Sequence, residues 1–135
     1  LAGNINSNLP KNISQEIKNY FIKKKINKPR ILILGITYKK NIDDVRNSPS
    51  LAIFENLIKK HKNISYHDNF VKKISIKGKM YSSKNLTKSL IEKMDALLLT
   101  TDHSYFNKKF IYSNAKIIFD TRNFFSDYKD KIIKL

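Results

Sequence analysis

The stretch ILILGITYKKNIDDVRNSP, residues 31–49, decides the fold. Its first four residues, Ile31 to Leu34, are aliphatic and predict a short strand buried on both faces, as in parallel sheets. Gly35 ends this strand, and Ser48 and Pro49 supply a helix N-cap and a first helical position. Ligands of open α/β sheets bind at the carboxyl ends of strands, where helix N-termini favour anions. The intervening loop therefore suits a phosphate, since it carries the charged residues Lys39, Lys40, Asp43, Asp44 and Arg46.

Buried strands and amphipathic helices alternate along the rest of the chain. Apolar spacings of three and four predict helices over residues 8–25, 49–60 and 85–94, and apolar runs predict strands over 64–67, 96–99 and 116–119. We also expect a helical turn that carries Tyr105 and Phe106, capped by Asp102 or Ser104. The alternation predicts an α/β fold, with a Rossmann-like parallel sheet flanked by helices and an N-terminal helix that enters from another domain. Residues 69–81 and the C-terminal tail receive no assignment.

Composition narrows the classes of partner. The chain has 135 residues, about one domain, and begins with leucine, which indicates a piece of a longer polypeptide. Its net charge of +16 comes mainly from lysines dispersed along the sequence, so we expect no specific nucleic-acid recognition. No apolar run is long enough for a bilayer, which favours a cytoplasmic protein without membrane contact. Cysteine is absent, and the three histidines lack metal-ligand spacing, so no metal site is predicted.

Four motifs, taken together in their order and spacing, resemble the C-terminal UDP-binding domain of the UDP-glucose/GDP-mannose dehydrogenase family. The resemblance covers about Arg30 to Asn123, and LAGNINSNLPKNI at the start resembles the end of the family's central helical region. It implies a helical linker region over residues 1–28 and a C-terminal UDP-sugar-binding domain over residues 29–135, with the N-terminal NAD-binding domain absent from this chain. The motifs are ILILGITYKKNIDDVRNSPSLAIFENL, YHDNF, MDALLLTTDHSYF and IIFDTRN.

The resemblance also implies a chemistry. Family members are NAD-dependent enzymes that oxidise the C6 alcohol of a nucleotide-sugar to a carboxylate through a covalent intermediate on a cysteine. This chain has neither a cysteine nor a G-x-G-x-x-G fingerprint, so we expect it to be inactive alone and assign it no catalytic residue. The expected partner is a UDP-sugar destined for surface polysaccharide, closer to a UDP-N-acetylhexosamine than to UDP-glucose. We expect the full-length protein to be a homo-oligomer.

Four residues match contact positions of the family. Tyr38 and Lys39 stand at its aromatic–lysine pair, whose lysine helps hold the nucleotide-sugar beside its phosphates. Arg122, in D-T-R, matches an arginine that contacts the nucleotide or the sugar, and these three residues form the expected substrate site. Arg46 matches an arginine expected to face NAD. The neighbouring Asn47 stands where the family more often has glutamate, which leaves the pairing of Arg46 open.

Other polar residues receive structural interpretations. We expect Lys40 to face solvent, and Asp43 and Asp44 to form a loop ion pair or cap with Arg46 rather than an acid–base pair. His103 is expected to be a hydrogen-bonded structural histidine beside a capping aspartate. The alternative function from a different class is a non-catalytic nucleotide- or polyanion-binding module, which the positive charge would favour.

Overall fold

A computed structural model describes the backbone of residues 2–135 and the side chains of residues 9–135. Helices and strands alternate along the chain, as the sequence predicts, apart from one hairpin and a last strand that follows the preceding strand without an intervening helix. The helices are α1 (Ala2–Lys23), α2 (Pro49–Lys60), α3 (Lys88–Lys93) and α4 (Lys108–Asn114). The strands are β1 (Arg30–Leu34), β2 (Asn63–His67), β3 (Lys73–Ile76), β4 (Lys79–Ser82), β5 (Ala96–Leu99), β6 (Ile118–Asp120) and β7 (Ile132–Lys134).

Five strands form one parallel sheet in the order β2-β1-β5-β6-β7. The chain first adds β2 on one side of β1 and later adds β5 on its other side, where Ile31 pairs with Ala96. The strand order thus reverses between β1 and β5, and open α/β sheets bind ligands in the crevice at such a point. The predicted parallel α/β architecture is confirmed.

Helices cover both faces of the sheet, which explains the uninterrupted apolar strands. Side chains alternate along a strand, so Ile31 and Ile33 pack with α1 and α2, whereas Leu32 and Leu34 pack with α3 and α4. All four side chains are completely buried. No helix within residues 2–135 combines the length and the apolar character needed to cross a membrane.

Three segments extend or correct the sequence prediction. The unassigned residues 69–81 contain the antiparallel hairpin of β3 and β4, whose turn places Lys77 and Gly78 at positive φ. The unassigned tail forms β7, which pairs in parallel with β6. Tyr105 and Phe106 lie in a single turn closed by the Phe106 N–H and the His103 carbonyl, and α4 begins only after it, capped by Asn107.

Candidate functional site

At the base of the crevice between β1 and β5, the backbone of Gly35 lies unusually close to Thr101. This residue has φ +83°, and a Cβ placed on it would lie 2.5 Å from both Cβ and the carbonyl oxygen of Thr101. Its N–H donates to the carbonyl of His67, the last residue of β2. Only glycine fits this conformation and this spacing. The ends of β1, β2 and β5 are thereby joined at one point.

The loop from residue 36 to residue 48 starts and ends at the same buried place. The Ser48 hydroxyl donates to the Ile36 carbonyl (3.0 Å) and accepts from the Leu51 N–H (3.2 Å), so it caps α2 as predicted while tying the loop ends together. Farther out, the Tyr38 N–H donates to the Asp44 carbonyl (2.7 Å). The outer residues of the loop, 38–43, are all exposed to solvent.

Tyr38 and Lys39 lie side by side on the outside of this loop. The Tyr38 side chain is 45% exposed, and the Lys39 ammonium lies 5.9 Å from the centroid of its ring. Within residues 9–135, the Lys39 ammonium forms no ion pair with a carboxylate. The loop therefore presents an aromatic ring and a free cation together, next to the crevice at the strand ends.

Arg46 lies on the opposite arm of the loop and pairs with Asp44. Its Nε and Nη2 donate to the two carboxylate oxygens at 3.1 and 3.2 Å, and this hydrogen bonding lowers the pKa of Asp44 below its ordinary value. The pair lies in a surface hollow of about 330 Å³ that Tyr38 and Asn47 also line. The predicted ion pair is confirmed for Asp44. Asn47 has φ +55°, a left-handed conformation that asparagine adopts more readily than most residues.

Arg122 follows β6 and leans back across the end of β5. Its Nε donates to the carbonyl of Thr100 (3.0 Å), while its own N–H donates to the Asp120 carboxylate (2.9 Å). The residue is exposed, and its other guanidinium nitrogens make no hydrogen bond within residues 9–135. The four predicted site residues thus lie at one edge of the sheet. Three share the loop after β1, and Arg122 approaches the crevice from the other side of β5.

A group of buried polar side chains beneath the loop was not assigned to the site by the sequence. We call it the polar hub: Thr37, Asp68, Thr100, Thr101 and His103, each at most 2% exposed. The Asp68 carboxylate accepts from the Ile36 N–H (2.8 Å), the Phe70 N–H (2.9 Å) and His103 Nε2 (2.9 Å). The buried carboxylate is thus fully hydrogen-bonded.

His103 links the hub to the loop. Its Nδ1 accepts from the Asn41 N–H (2.8 Å), so its proton resides on Nε2, which faces Asp68. The predicted hydrogen-bonded structural histidine is confirmed, and its carboxylate partner is Asp68. The position of Asp68 directly after a buried strand was the available sequence signal.

A second hydrogen-bonded chain borders the hub on the β2 side. His67 Nδ1 lies 2.6 Å from the Lys84 carbonyl, so it carries the proton and leaves Nε2 to accept from the Tyr105 hydroxyl at 3.1 Å. That hydroxyl also accepts from the Asn69 N–H (2.8 Å). Burial lowers the pKa of His67 and raises the pKa of Tyr105 to about 12. Both side chains are therefore neutral at physiological pH, and their hydrogen bonds connect β2 to the segment after β5.

The groups at this edge of the sheet are suited to binding an anion. The chain lacks cysteine, and in the described part of the chain no three His, Asp or Glu side chains converge as they would around a metal ion. What it offers is an exposed ring, free cations and rigid backbone at the end of a parallel sheet. These features suit the phosphates of a nucleotide.

Comparison with known proteins identifies the family. The UDP binding domain of the UDP-glucose/GDP-mannose dehydrogenase family matches residues 32–127. A UDP-N-acetyl-D-mannosamine dehydrogenase of Methanococcus aeolicus is 33% identical over 105 residues, which cover 78% of this chain and 23% of that protein. A UDP-glucose 6-dehydrogenase of Rickettsia bellii is 34% identical over 103 residues, covering 69% of this chain and 23% of that protein.

Among solved structures, the UDP-D-ManNAc dehydrogenase of Pyrococcus horikoshii superimposes with a TM-score of 0.76 at 26% identity, over 97% of this chain and 31% of that one. The chain therefore spans between 23% and 31% of the length of these three proteins. The family match covers most of the chain, and the structural match covers almost all of it. This chain belongs to the UDP-glucose/GDP-mannose dehydrogenase family and contains its UDP binding domain.

Proposed function

We propose that this chain is the C-terminal part of an NAD-dependent nucleotide-sugar 6-dehydrogenase that oxidises a sugar C6 alcohol to a carboxylate. Residues 29–135 hold the UDP end of the substrate, and residues 1–28 lead in from a central helical region. The NAD-binding domain and the reactive cysteine belong to other parts of the parent protein, so the chain alone does not catalyse. Relatives named for UDP-N-acetyl-D-mannosamine favour an N-acetylhexosamine as the sugar.

The exposed Lys39 carries this proposal. Its ammonium has no carboxylate partner among residues 9–135, although the loop that holds it is tied down at both ends. A free cation on an ordered loop at the carboxyl edge favours a phosphate ligand, because the Coulomb attraction is not already satisfied inside the protein. Tyr38 beside it offers a ring face, and Arg122 offers a second set of donors from across β5.

Arg46 is proposed to face the cofactor. Its side chain is 87% exposed, and the pairing with Asp44 uses Nε and Nη2, whereas Nη1 has no hydrogen-bond partner within residues 9–135. An exposed guanidinium fits an anionic group of NAD across a domain interface. Since NAD supplies the hydride acceptor, this chain contributes orientation and charge to that side of the site and no chemical step.

Titration with UDP followed by NMR tests the assignment. We expect the amide signals of Gly35 to Arg46 and those near Arg122 to shift. We expect Lys39→Ala to weaken UDP binding about tenfold, because one charge-assisted contact to a phosphate is lost.

Lys40→Ala is the matched control, since it removes the same charge from the adjacent exposed residue. It should change UDP affinity less than threefold at 0.15 M salt, where exposed charges that do not touch the ligand are screened. Equal losses for the two variants would show that Lys39 acts only through overall charge. Amide shifts confined to other regions would refute the site.

Polyanion binding is the second candidate, and a basic hollow of about 510 Å³ favours it. The hollow lies at the amino end of β2, the opposite edge of the sheet from Lys39, and its lining includes Lys59, Lys60, Lys62 and Lys79. Binding there should fall steeply between 50 and 200 mM salt, about tenfold or more, without preference for a nucleotide. If UDP shifted the amides of this hollow instead of those of the β1 loop, the second candidate would replace the first.

A further inference from the structure

The chain segment after β5 is hydrogen-bonded to the β1 loop at two points. At the first, the Thr101 hydroxyl donates to the carbonyl of Thr37 at 2.9 Å. At the second, His103 Nδ1 accepts from the N–H of Asn41 at 2.8 Å. The intervening residues 38–40, which we call the arch, include the two proposed ligand contacts and are exposed.

Asn41 secures the second point with its side chain as well. Its Nδ2 donates to the Ser104 hydroxyl (2.7 Å), and its Oδ1 accepts from the Ser104 N–H (2.9 Å). The residue has φ +63°, which turns the backbone back toward the segment after β5. The hydroxyl of Thr37, just before the arch, donates to the carbonyl of Lys39 at 2.6 Å. Both ends of the arch are therefore hydrogen-bonded, while its side chains make no hydrogen bond with the described residues 9–135.

His103 connects this second point to the sheet. The imidazole is completely buried and donates from Nε2 to Asp68, which is itself fixed by the backbone N–H groups of Ile36 and Phe70. Only the neutral tautomer with its proton on Nε2 can donate to the carboxylate and accept from Asn41 at once. The position of Asn41 is thus set by the end of β2, through two buried side chains.

We propose that residues 101–104 act as a clamp that pre-orders the arch for the nucleotide-sugar, with His103 and Asn41 as its positioning residues. This inference deepens the proposed function and rests on it. The clamp fixes a segment that places no side chain in the core, so its effect falls mainly on the arch itself. Ordering Tyr38 and Lys39 before binding lowers the entropy that the ligand must otherwise overcome.

Asn41→Gly tests the clamp with the least damage to the fold. Glycine accepts the positive φ and keeps the backbone N–H to His103, so only the two side-chain bonds to Ser104 disappear. Asn47→Gly is its matched control, because Asn47 is exposed in the same loop at φ +55° and its side chain makes no hydrogen bond within residues 9–135. We expect Asn41→Gly to weaken UDP binding about fivefold and Asn47→Gly to change it less than twofold.

His103 is tested by a pair of substitutions. His103→Leu removes both bonds, and we expect about tenfold weaker UDP binding with loss of hydrogen-exchange protection at the Asn41 amide. His103→Gln retains one donor and one acceptor, and we expect it to restore at least part of both. A merely structural histidine would not produce such rescue at equal thermal stability. In the wild type, nitrogen chemical shifts of His103 should report the neutral tautomer protonated on Nε2.

The readouts separate this inference from the proposed function. Hydrogen exchange and ¹⁵N relaxation of residues 38–40 measure the order of the arch without ligand. If the wild type binds no UDP, the proposed function fails, while the loop measurements still decide whether the clamp exists. Equal effects of Asn41→Gly and Asn47→Gly on the arch would overturn the clamp. If His103→Leu does not fold, the asparagine pair decides alone.

Discussion

The polar hub and the arch lie a few residues apart at the same edge of the sheet, yet they use polar groups in opposite ways. Hub side chains such as Asp68 and His103 are buried and hydrogen-bonded on all sides. Arch side chains such as Tyr38 and Lys39 are exposed, and their polar ends have no protein partner within residues 9–135. Hydrogen-bonded polar groups therefore build this edge of the sheet, and exposed polar groups without a protein partner remain for a ligand. Hub substitutions should change stability, and at His103 they should also change binding through the arch, whereas arch substitutions should change binding alone.

The largest effect is expected for Gly35→Ala, which acts at the base of the hub. A methyl group there combines positive φ with a 2.5 Å contact to the Thr101 carbonyl oxygen, a backbone atom that cannot move aside. We expect the free energy of unfolding to fall by about 4 kcal/mol, measured by urea denaturation.

Gly78→Ala measures the cost of placing alanine at positive φ when the added methyl group meets no neighbouring atom. Comparison with Gly35→Ala then gives the steric part of the loss in stability. Gly78 has φ +81°, almost the same as Gly35, but an added Cβ meets nothing within 4 Å. The cost should be only about 1 kcal/mol. Equal costs at the two glycines would mean that the close approach of β1 and β5 is unimportant, which would break the distinction between a rigid base and a free arch.

Asp68→Ala is expected to follow in size. It would leave the Ile36 and Phe70 N–H groups and His103 Nε2 without their acceptor in a site that excludes water. We expect a loss of about 3 kcal/mol in the free energy of unfolding, from thermal or urea denaturation. Asp43→Ala is the control, because Asp43 is exposed and makes no hydrogen bond within the described side chains, and it should leave stability unchanged. If Asp68→Ala left the free energy of unfolding unchanged, the hub would not be what stabilises this edge of the sheet.

Tyr105→Phe should have an intermediate effect, since Tyr105 lies at the border of the hub. The substitution deprives the buried His67 Nε2 of its donor and should cost about 1 kcal/mol. The pKa of Tyr105 is raised to about 12, so its contribution to stability is complete below pH 10 and is lost as pH rises toward 12. Unfolding of the variant should therefore depend less on pH in that range.

Tyr112→Phe is the control for the loss of a hydroxyl, because the Tyr112 hydroxyl has no hydrogen-bond partner in residues 9–135. It should be neutral at pH 7. If the two phenylalanine variants behaved alike, the Tyr105 hydroxyl would not stabilise the border of the hub, although it is hydrogen-bonded there.

The part of the fold that the sequence predicts is the part whose burial leaves a local pattern. Runs such as Ile31 to Leu34 show burial on both faces, and α2 is predicted residue for residue because Ser48 and Pro49 mark its start. The sequence does not predict the β3–β4 hairpin, because β4 is mostly exposed and shows no apolar alternation. Strand β7 is three residues long, and its pairing with β6 is settled by chain folding, not by its own sequence.

The residues of the candidate site also differ in whether a local sequence pattern reveals them. Tyr38, Lys39, Arg46 and Arg122 are found from motifs, because each motif is a continuous run of residues. The hub could not be found in this way, since Asp68 and His103 are 35 residues apart in the chain and only the parallel pairing of strands brings them together. The sequence predicts that His103 is hydrogen-bonded but names no partner, whereas the sheet supplies Asp68.

The smallest expected change in stability is at the Asp44–Arg46 pair, and it gives the sharpest test of the contrast between hub and exposed loop. Arg46→Ala removes the guanidinium that lowers the pKa of Asp44, so this pKa should rise toward its ordinary value, as measured by ¹³C NMR titration of the carboxylate. A lowered pKa adds stability above the ordinary value of 3.8 that is lost as pH falls through the folded-state pKa. Because the pair is exposed, water screens this contribution, and unfolding at pH 7 should stay unchanged, as it should for Lys40→Ala. A loss as large as that of Tyr105→Phe would place Arg46 with the groups that build the edge, and its proposed role toward a cofactor would lose its physical basis.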